Sequence, residues 1–78
     1  MVNCKYSKYN RSVEIIINEI YKVEPLNPLK KKYRDEKVKL IKYEPFGEGT
    51  FVLRLDSKWH VSRNSYTEID VCDLVLIR

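Results

Sequence analysis

Ser12-Val13-Glu14-Ile15-Ile16-Ile17-Asn18-Glu19-Ile20-Tyr21-Lys22-Val23 is the stretch on which the fold turns. As a helix it puts Val13, Ile16, Ile17 and Ile20 on one face, with Ser12 as N-cap. As a strand it puts Val13, Ile15, Ile17, Tyr21 and Val23 on one face, interrupted by Glu19, with Ile16 and Ile20 on the other. Four Ile and two Val in twelve residues favour the strand. Their β-branched side chains are stiff at χ1 and pack well on a pleated surface. Asn18-Glu19 marks a bulge or bend that resets the alternation. The strand reading makes the protein mostly β, whereas a helix over 12–23 would make it α+β.

On the N-terminal side, residues 1–11 are polar, basic and dotted with Tyr, which predicts a flexible basic arm ahead of a single domain over 12–78. On the C-terminal side, Glu24 to Glu36 reads as a loop. Pro25 and Pro28 remove backbone donors and push the residues before them toward extended conformations. Ordered loops of this length are usually functional. Lys37 to Glu44 is a strand whose phase slips. Val38 and Leu40 alternate with lysines, then Ile41 stands beside Leu40 and Tyr43 continues the new phase, as a β-bulge produces. Pro45-Phe46-Gly47-Glu48-Gly49 reads as a hairpin turn in which either glycine can take positive φ.

Thr50 to Asp56 alternates, with Phe51, Leu53 and Leu55 on one face and Thr50, Val52 and Arg54 on the other. A short strand holding Trp59 and Val61 and a polar turn at Ser62–Ser65 follow. Tyr66 to Ile69 leads into Asp70-Val71-Cys72-Asp73, a single 3-10 turn capped by Asp70. Leu74 to Ile77 is a last, apolar strand.

Composition agrees. The chain of 78 residues has no Ala, a strong helix former, but six Tyr, two Phe and one Trp, which push toward strands. A chain this short buries only about 60–65% of its unfolded surface, so its core is thin. Residues 1–42 carry eleven cations and five acids, a net +6; residues 43–78 carry four and six, a net −2. A basic half attracts polyanions or acidic protein surfaces. The two cysteines, Cys4 and Cys72, are far apart and part of no metal-ligand spacing. No apolar run approaches the roughly 20 residues of a membrane span, and the first residues do not read as a signal peptide. The expectation is a cytoplasmic protein without a membrane partner, with free thiols: Cys72 in the core and Cys4 exposed. A Cys4–Cys72 bridge needs the two ends to meet.

The long first loop, the bulged second strand and the 3-10 turn before the last strand together resemble an SH3-like barrel, of the KOW, Tudor and bacterial SH3-type class. Small proteins of Gram-positive phages and mobile elements are similar in having a basic loop before a strand and a closing apolar run. Here these are Asn27-Pro28, Lys32-Tyr33-Arg34 and Asp73-Leu74-Val75-Leu76-Ile77. The resemblance implies a small five-stranded barrel over Lys30 to Ile77 and the segment before it, and a binding module. KOW-type barrels place a glycine where Arg34-Asp35-Glu36-Lys37 stands. Tudor-like barrels cage methylated cations among aromatics, for which Tyr33, Tyr43, Trp59 and Tyr66 are available.

No nucleophile motif, phosphate loop or acid pair points to catalysis, so a non-catalytic module without cofactor, metal or small-molecule substrate is expected. His60, beside Trp59, reads as a surface residue. The basic aromatic loop is the best candidate site. Lys30, Lys31 and Lys32 suit phosphates as point charges, Arg34 suits bidentate binding, and Tyr33 can stack on a base. Lys58, Trp59, Arg63 and Tyr66 extend the patch. Nucleic-acid binding through this loop is therefore the first expectation. The alternative is a protein-interaction module of phage or mobile-element origin, using strand addition or an aromatic groove. An oligomeric assembly protein is a third.

Overall fold

Segment 12–23 is neither a helix nor one strand. It holds the end of β2 (Tyr9–Val13) and all of β3 (Ile20–Val23), with irregular backbone between them. The computed structural model describes residues 1–44, 46, 49–55 and 66–77 and contains no α-helix among them. The break has a side-chain cause. Tyr21 is fully buried, and its hydroxyl donates to the Glu14 carbonyl and accepts from the Ile16 amide at 3.0 Å. A buried phenol requires partners, and the bend supplies them. Asn18 turns the chain with φ of 73°, in the left-handed region that Asn tolerates. Its amide donates to the Leu40 carbonyl at 2.7 Å, and the Leu40 amide donates to Glu19 at 3.0 Å. The expected bend at Asn18-Glu19 is thus present, but it separates strands of two different sheets.

The supposed N-terminal arm is a hairpin, β1 (Val2–Tyr6) with β2, and position 11/12 falls inside β2. Tyr6 pairs with Tyr9 around Ser7-Lys8, and Ser7 takes φ of 55°, as the first position of a II′ turn needs. The hairpin docks on the 3-10 turn Val71–Asp73 and on β7 (Leu74–Leu76). Two bonds hold it. Cys4 is disulfide-bonded to Cys72, 68 residues away, with Cα atoms 5.6 Å apart. Arg11 Nη1 donates to the carbonyls of Glu24 and, at 3.0 Å, Cys72. The expectation of free thiols is therefore corrected, and Cys4 is buried instead of exposed. Spacing along the chain did not reveal that the hairpin brings Cys4 within disulfide range.

The main sheet is antiparallel, in the order β6-β5-β4-β3-β7, with β4 (Lys37–Glu44), β5 (Gly49–Arg54) and β6 (Tyr66–Glu68). β3 to β6 form a meander, and β7 returns to pair with β3, Tyr21 opposite Leu76. The slip in β4 lies where its phase changes: Leu40 pairs with Val52 and Lys42 with Phe51, leaving Ile41 as the extra residue. The 3-10 turn is capped by Asp70, whose carboxylate accepts from the Cys72 amide at 3.0 Å.

The architecture is mostly β, as expected, but the strand count differs: seven strands lie among the described residues, in a two-stranded and a five-stranded sheet. The barrel is not closed among these residues. β6 and β7, each three residues long, are the two edges of the larger sheet and are not bonded to each other. The expected strand at Trp59–Val61 and the turn at 62–65 lie outside the described residues. No helix among the described residues is long and apolar enough to cross a membrane.

The core joins both sheets. Cys4 and Val13 of the hairpin pack with Tyr21, Val23, Val38, Leu40, Val52, Ile69 and Leu74. On β5 the buried face is that of Thr50 and Val52, while Phe51 and Leu53 are half-buried on the other side. The more apolar residues of that strand thus lie away from the core.

Candidate functional site

The loop between β3 and β4 is ordered by its own backbone. Its ends are clamped, Asp35 N to Val23 O at 2.8 Å and Val23 N to Glu36 O at 2.9 Å. Asn27 starts a tight turn, its side chain accepting from Leu29 N at 2.9 Å and its carbonyl from Lys30 N at 3.0 Å. Short polar side chains favour such local turns. Arg34 completes the loop: Nη2 donates to Lys30 O at 2.9 Å and to Asn27 O at 3.3 Å. The guanidinium expected to grip a ligand is holding the loop's own carbonyls.

Lys30 is likewise engaged. Its ammonium lies 3.2 Å from Oδ2 of Asp73, a buried acid at the end of the 3-10 turn. The other oxygen of Asp73 accepts from Leu26 N at 3.3 Å, and the Asp73 carbonyl accepts from Glu24 N at 2.7 Å. Asp73 therefore ties the basic loop to the far end of the chain. A buried carboxylate needs such donors.

Tyr33, half-buried, has cations of its own chain over its ring: Arg54 Cζ at 4.9 Å and Lys32 Nζ at 5.2 Å from the centroid. Arg54 also pairs with Glu36 at 2.7 Å, and Glu36 Oε2 and Arg54 Nε are enclosed without a hydrogen-bond partner. The ring is thus braced as a wall. Lys22 bridges Glu24 at 3.3 Å and Asp35 at 3.4 Å across the loop's two ends. Hydrogen bonding to Glu24 first, then to Asp35, raises its ammonium above the ordinary lysine value of 10.5.

Between this loop and residues 68–73 lies a groove of about 260 Å³. Val23, Pro25, Tyr33 and Ile69 give it apolar surface; Lys30, Lys31 and Lys32 stand on one side and Glu68, Asp70 and Asp73 on the other. Two further concavities adjoin it. One of about 470 Å³, lined by Tyr43, Gly49, Thr50 and Val71, shares Glu68, Ile69 and Asp70 with it. One of about 180 Å³ beside the disulfide shares Lys30, Asp70 and Asp73. Segment 68–73 thus contributes to the lining of all three, with Asp70 in each.

Of the residues expected to form the site, Lys30, Lys31, Lys32 and Tyr33 line the groove, and Arg34 braces the loop behind it. Tyr66 is exposed on β6 and lines none of these concavities, so Tyr33, Tyr43 and Tyr66 do not converge into one cage. Lys58, Trp59, His60 and Arg63 lie outside the described residues. The acidic wall was missed. Its signal was Asp70 and Asp73, three apart, which capping alone explains in Asp70 but not in Asp73. Compared with known proteins, the chain matches no family model, no curated protein and no solved structure.

Proposed function

We propose that this chain is a non-catalytic interaction module that takes an extended segment of a partner protein in the groove between the loop 24–36 and residues 68–73. One observation carries the reading: the groove has apolar surface and opposed charges on its two sides. A polyanion laid there meets Lys31 and Lys32, but also Glu68 and Asp70, and like charges at close range are repulsive. A peptide offers apolar side chains and either sign of charge. The engagement of Lys30 by Asp73 and of Arg34 by loop carbonyls further reduces what the loop can offer to phosphates.

The reading as an SH3-like module is supported by the order β6-β5-β4-β3-β7, the bulge in β4 and the 3-10 turn before β7. Phage or mobile-element ancestry rests on the sequence resemblance alone. The Cys4–Cys72 disulfide favours an oxidising compartment over the cytoplasm first expected, because thiol-reducing systems keep such bonds open in the cytosol.

The test is an amide NMR titration of the oxidised protein with a pool of extended peptides and, separately, with mixed oligonucleotides, each at low and physiological salt. Peptide-induced shifts at Val23, Lys31–Tyr33 and Ile69–Asp70 that persist at physiological salt are expected. Oligonucleotide shifts at Lys31 and Lys32 that survive physiological salt, with no response to peptides, would return the site to nucleic acid.

A further inference from the structure

The concavities along 68–73 differ in the charge of their lining. The one of about 470 Å³ is lined by Glu68 and Asp70 with no cation among the described residues, beside Tyr43 and Thr50. The central groove is lined by the same two acids together with Lys31 and Lys32 of the loop and the apolar surface of Tyr33 and Ile69. Lys30 and Asp73 neutralise each other. Among the described residues neither Lys31 nor Glu68 has an ion-pair partner inside the protein. Among the described residues, two opposite charges that line the groove are therefore without an ion-pair partner.

The acidic end is held in place by the backbone. Gly49, with φ of +100°, lies under Glu68, and a Cβ there would come 2.9 Å from Glu68 Oε1. Glu68 also pairs with Phe51 in the β5–β6 ladder. Asp70 is fixed by its capping bond to Cys72 N. The basic end is carried by the loop that Arg34 and Asn27 order, with Tyr33 braced by Arg54.

Resting on the peptide-binding reading above, we infer that the preferred occupant is a charge-polarised extended peptide. It carries a basic residue over Glu68 and Asp70, an acidic residue toward Lys31 and Lys32, and an apolar residue between them against Tyr33 and Ile69. Partners of one charge sign meet repulsion at one end, so the groove selects by pattern and not by net charge.

Four blocked seven-residue peptides with a Leu-Pro-Leu centre test this, bearing at their two ends Lys and Glu, Lys and Lys, Glu and Glu, or Ser and Ser. Affinity is read by amide shifts of the full oxidised chain at physiological salt. The Lys/Glu peptide is expected to bind about three- to tenfold more tightly than the Ser/Ser peptide, the sum of two exposed charge pairs. The Lys/Lys and Glu/Glu peptides fall below it. In the exposed double variant Lys31→Glu, Lys32→Glu the preference moves to the Lys/Lys peptide, and in Glu68→Lys it moves toward Glu/Glu. If the Ser/Ser peptide shifts Val23, Tyr33 and Ile69 but charge changes nothing, the polarity inference is overturned and the groove reading stands. If no peptide shifts these residues, both are overturned.

Discussion

Among the described residues three non-glycines, Ser7, Asn18 and Asp35, take positive φ, and each lies where the chain must reverse. Asn18 is the one whose backbone also joins the sheet, through Leu40. Asn18→Val is expected to cost about 1–2 kcal/mol, because a β-branched side chain clashes in the left-handed region, while Asn18→Gly costs little or nothing. Urea unfolding of the two variants measures this; equal losses would mean the Asn side chain, not its φ, matters. Lys22 offers a pH signature. Its folded-state pKa lies above the unfolded value, so its ion pairs contribute fully below about pH 10.5 and are lost as pH rises through the folded value. Lys22→Met should therefore lower stability at pH 8 and abolish that part of the alkaline loss. The effect is small and reduced by salt, since all three groups are exposed. Potentiometric or NMR titration of the Lys22 ammonium checks the direction.

Among the elements, the hairpin β1–β2 depends most on what lies outside it. Two short strands have little stability alone, and this pair is held by the Cys4–Cys72 bond and by Arg11 on the Glu24 and Cys72 carbonyls. A bridge across 68 residues is worth about 4 kcal/mol through the chain entropy it removes from the unfolded state. Replacing Cys4 and Cys72 by Ser, or reducing them with a dithiol, is expected to lower unfolding stability by roughly 2–4 kcal/mol. Amide exchange should rise first in residues 2–13, and uniform acceleration across both sheets would contradict a separately anchored hairpin. Arg11→Met tests the second anchor. It leaves two carbonyls without their donor and should cost about 1–3 kcal/mol with the disulfide intact. The bulge in β4 was legible beforehand, because apolar residues stood side by side at Leu40-Ile41 in an otherwise alternating run. The hairpin was harder to read: β1 alternates Val2, Cys4 and Tyr6 with Asn3 and Lys5, but the run is short, and of its partner β2 only Val13 is buried.

At the scale of the whole molecule, a 78-residue chain has only about 4–12 kcal/mol of stability to lose. Leu40 is fully buried at the bulge, where β4 meets both β5 and the bend before β3. Leu40→Ala should cost about 2–5 kcal/mol, and in the reduced protein it should leave the chain largely unfolded at 25 °C by circular dichroism. A cooperative transition at an unchanged midpoint would show that the core is centred elsewhere. The sequence by itself determined the mostly β character, the extents of β4 and most of β5, the capped 3-10 turn and the loop that carries Lys30 to Tyr33. These follow from local rules: β-branched content, period-two alternation, proline and glycine placement, and the capping chemistry of Asp70. Only the tertiary structure decided that the run 12–23 divides between two sheets, that Cys4 meets Cys72, that Lys30 and Arg34 serve the fold, and that an acidic wall faces the basic loop. Each of those depends on contacts between residues far apart in the chain, such as Lys30 with Asp73 and Arg11 with Cys72, and no local pattern of residues encodes such distances.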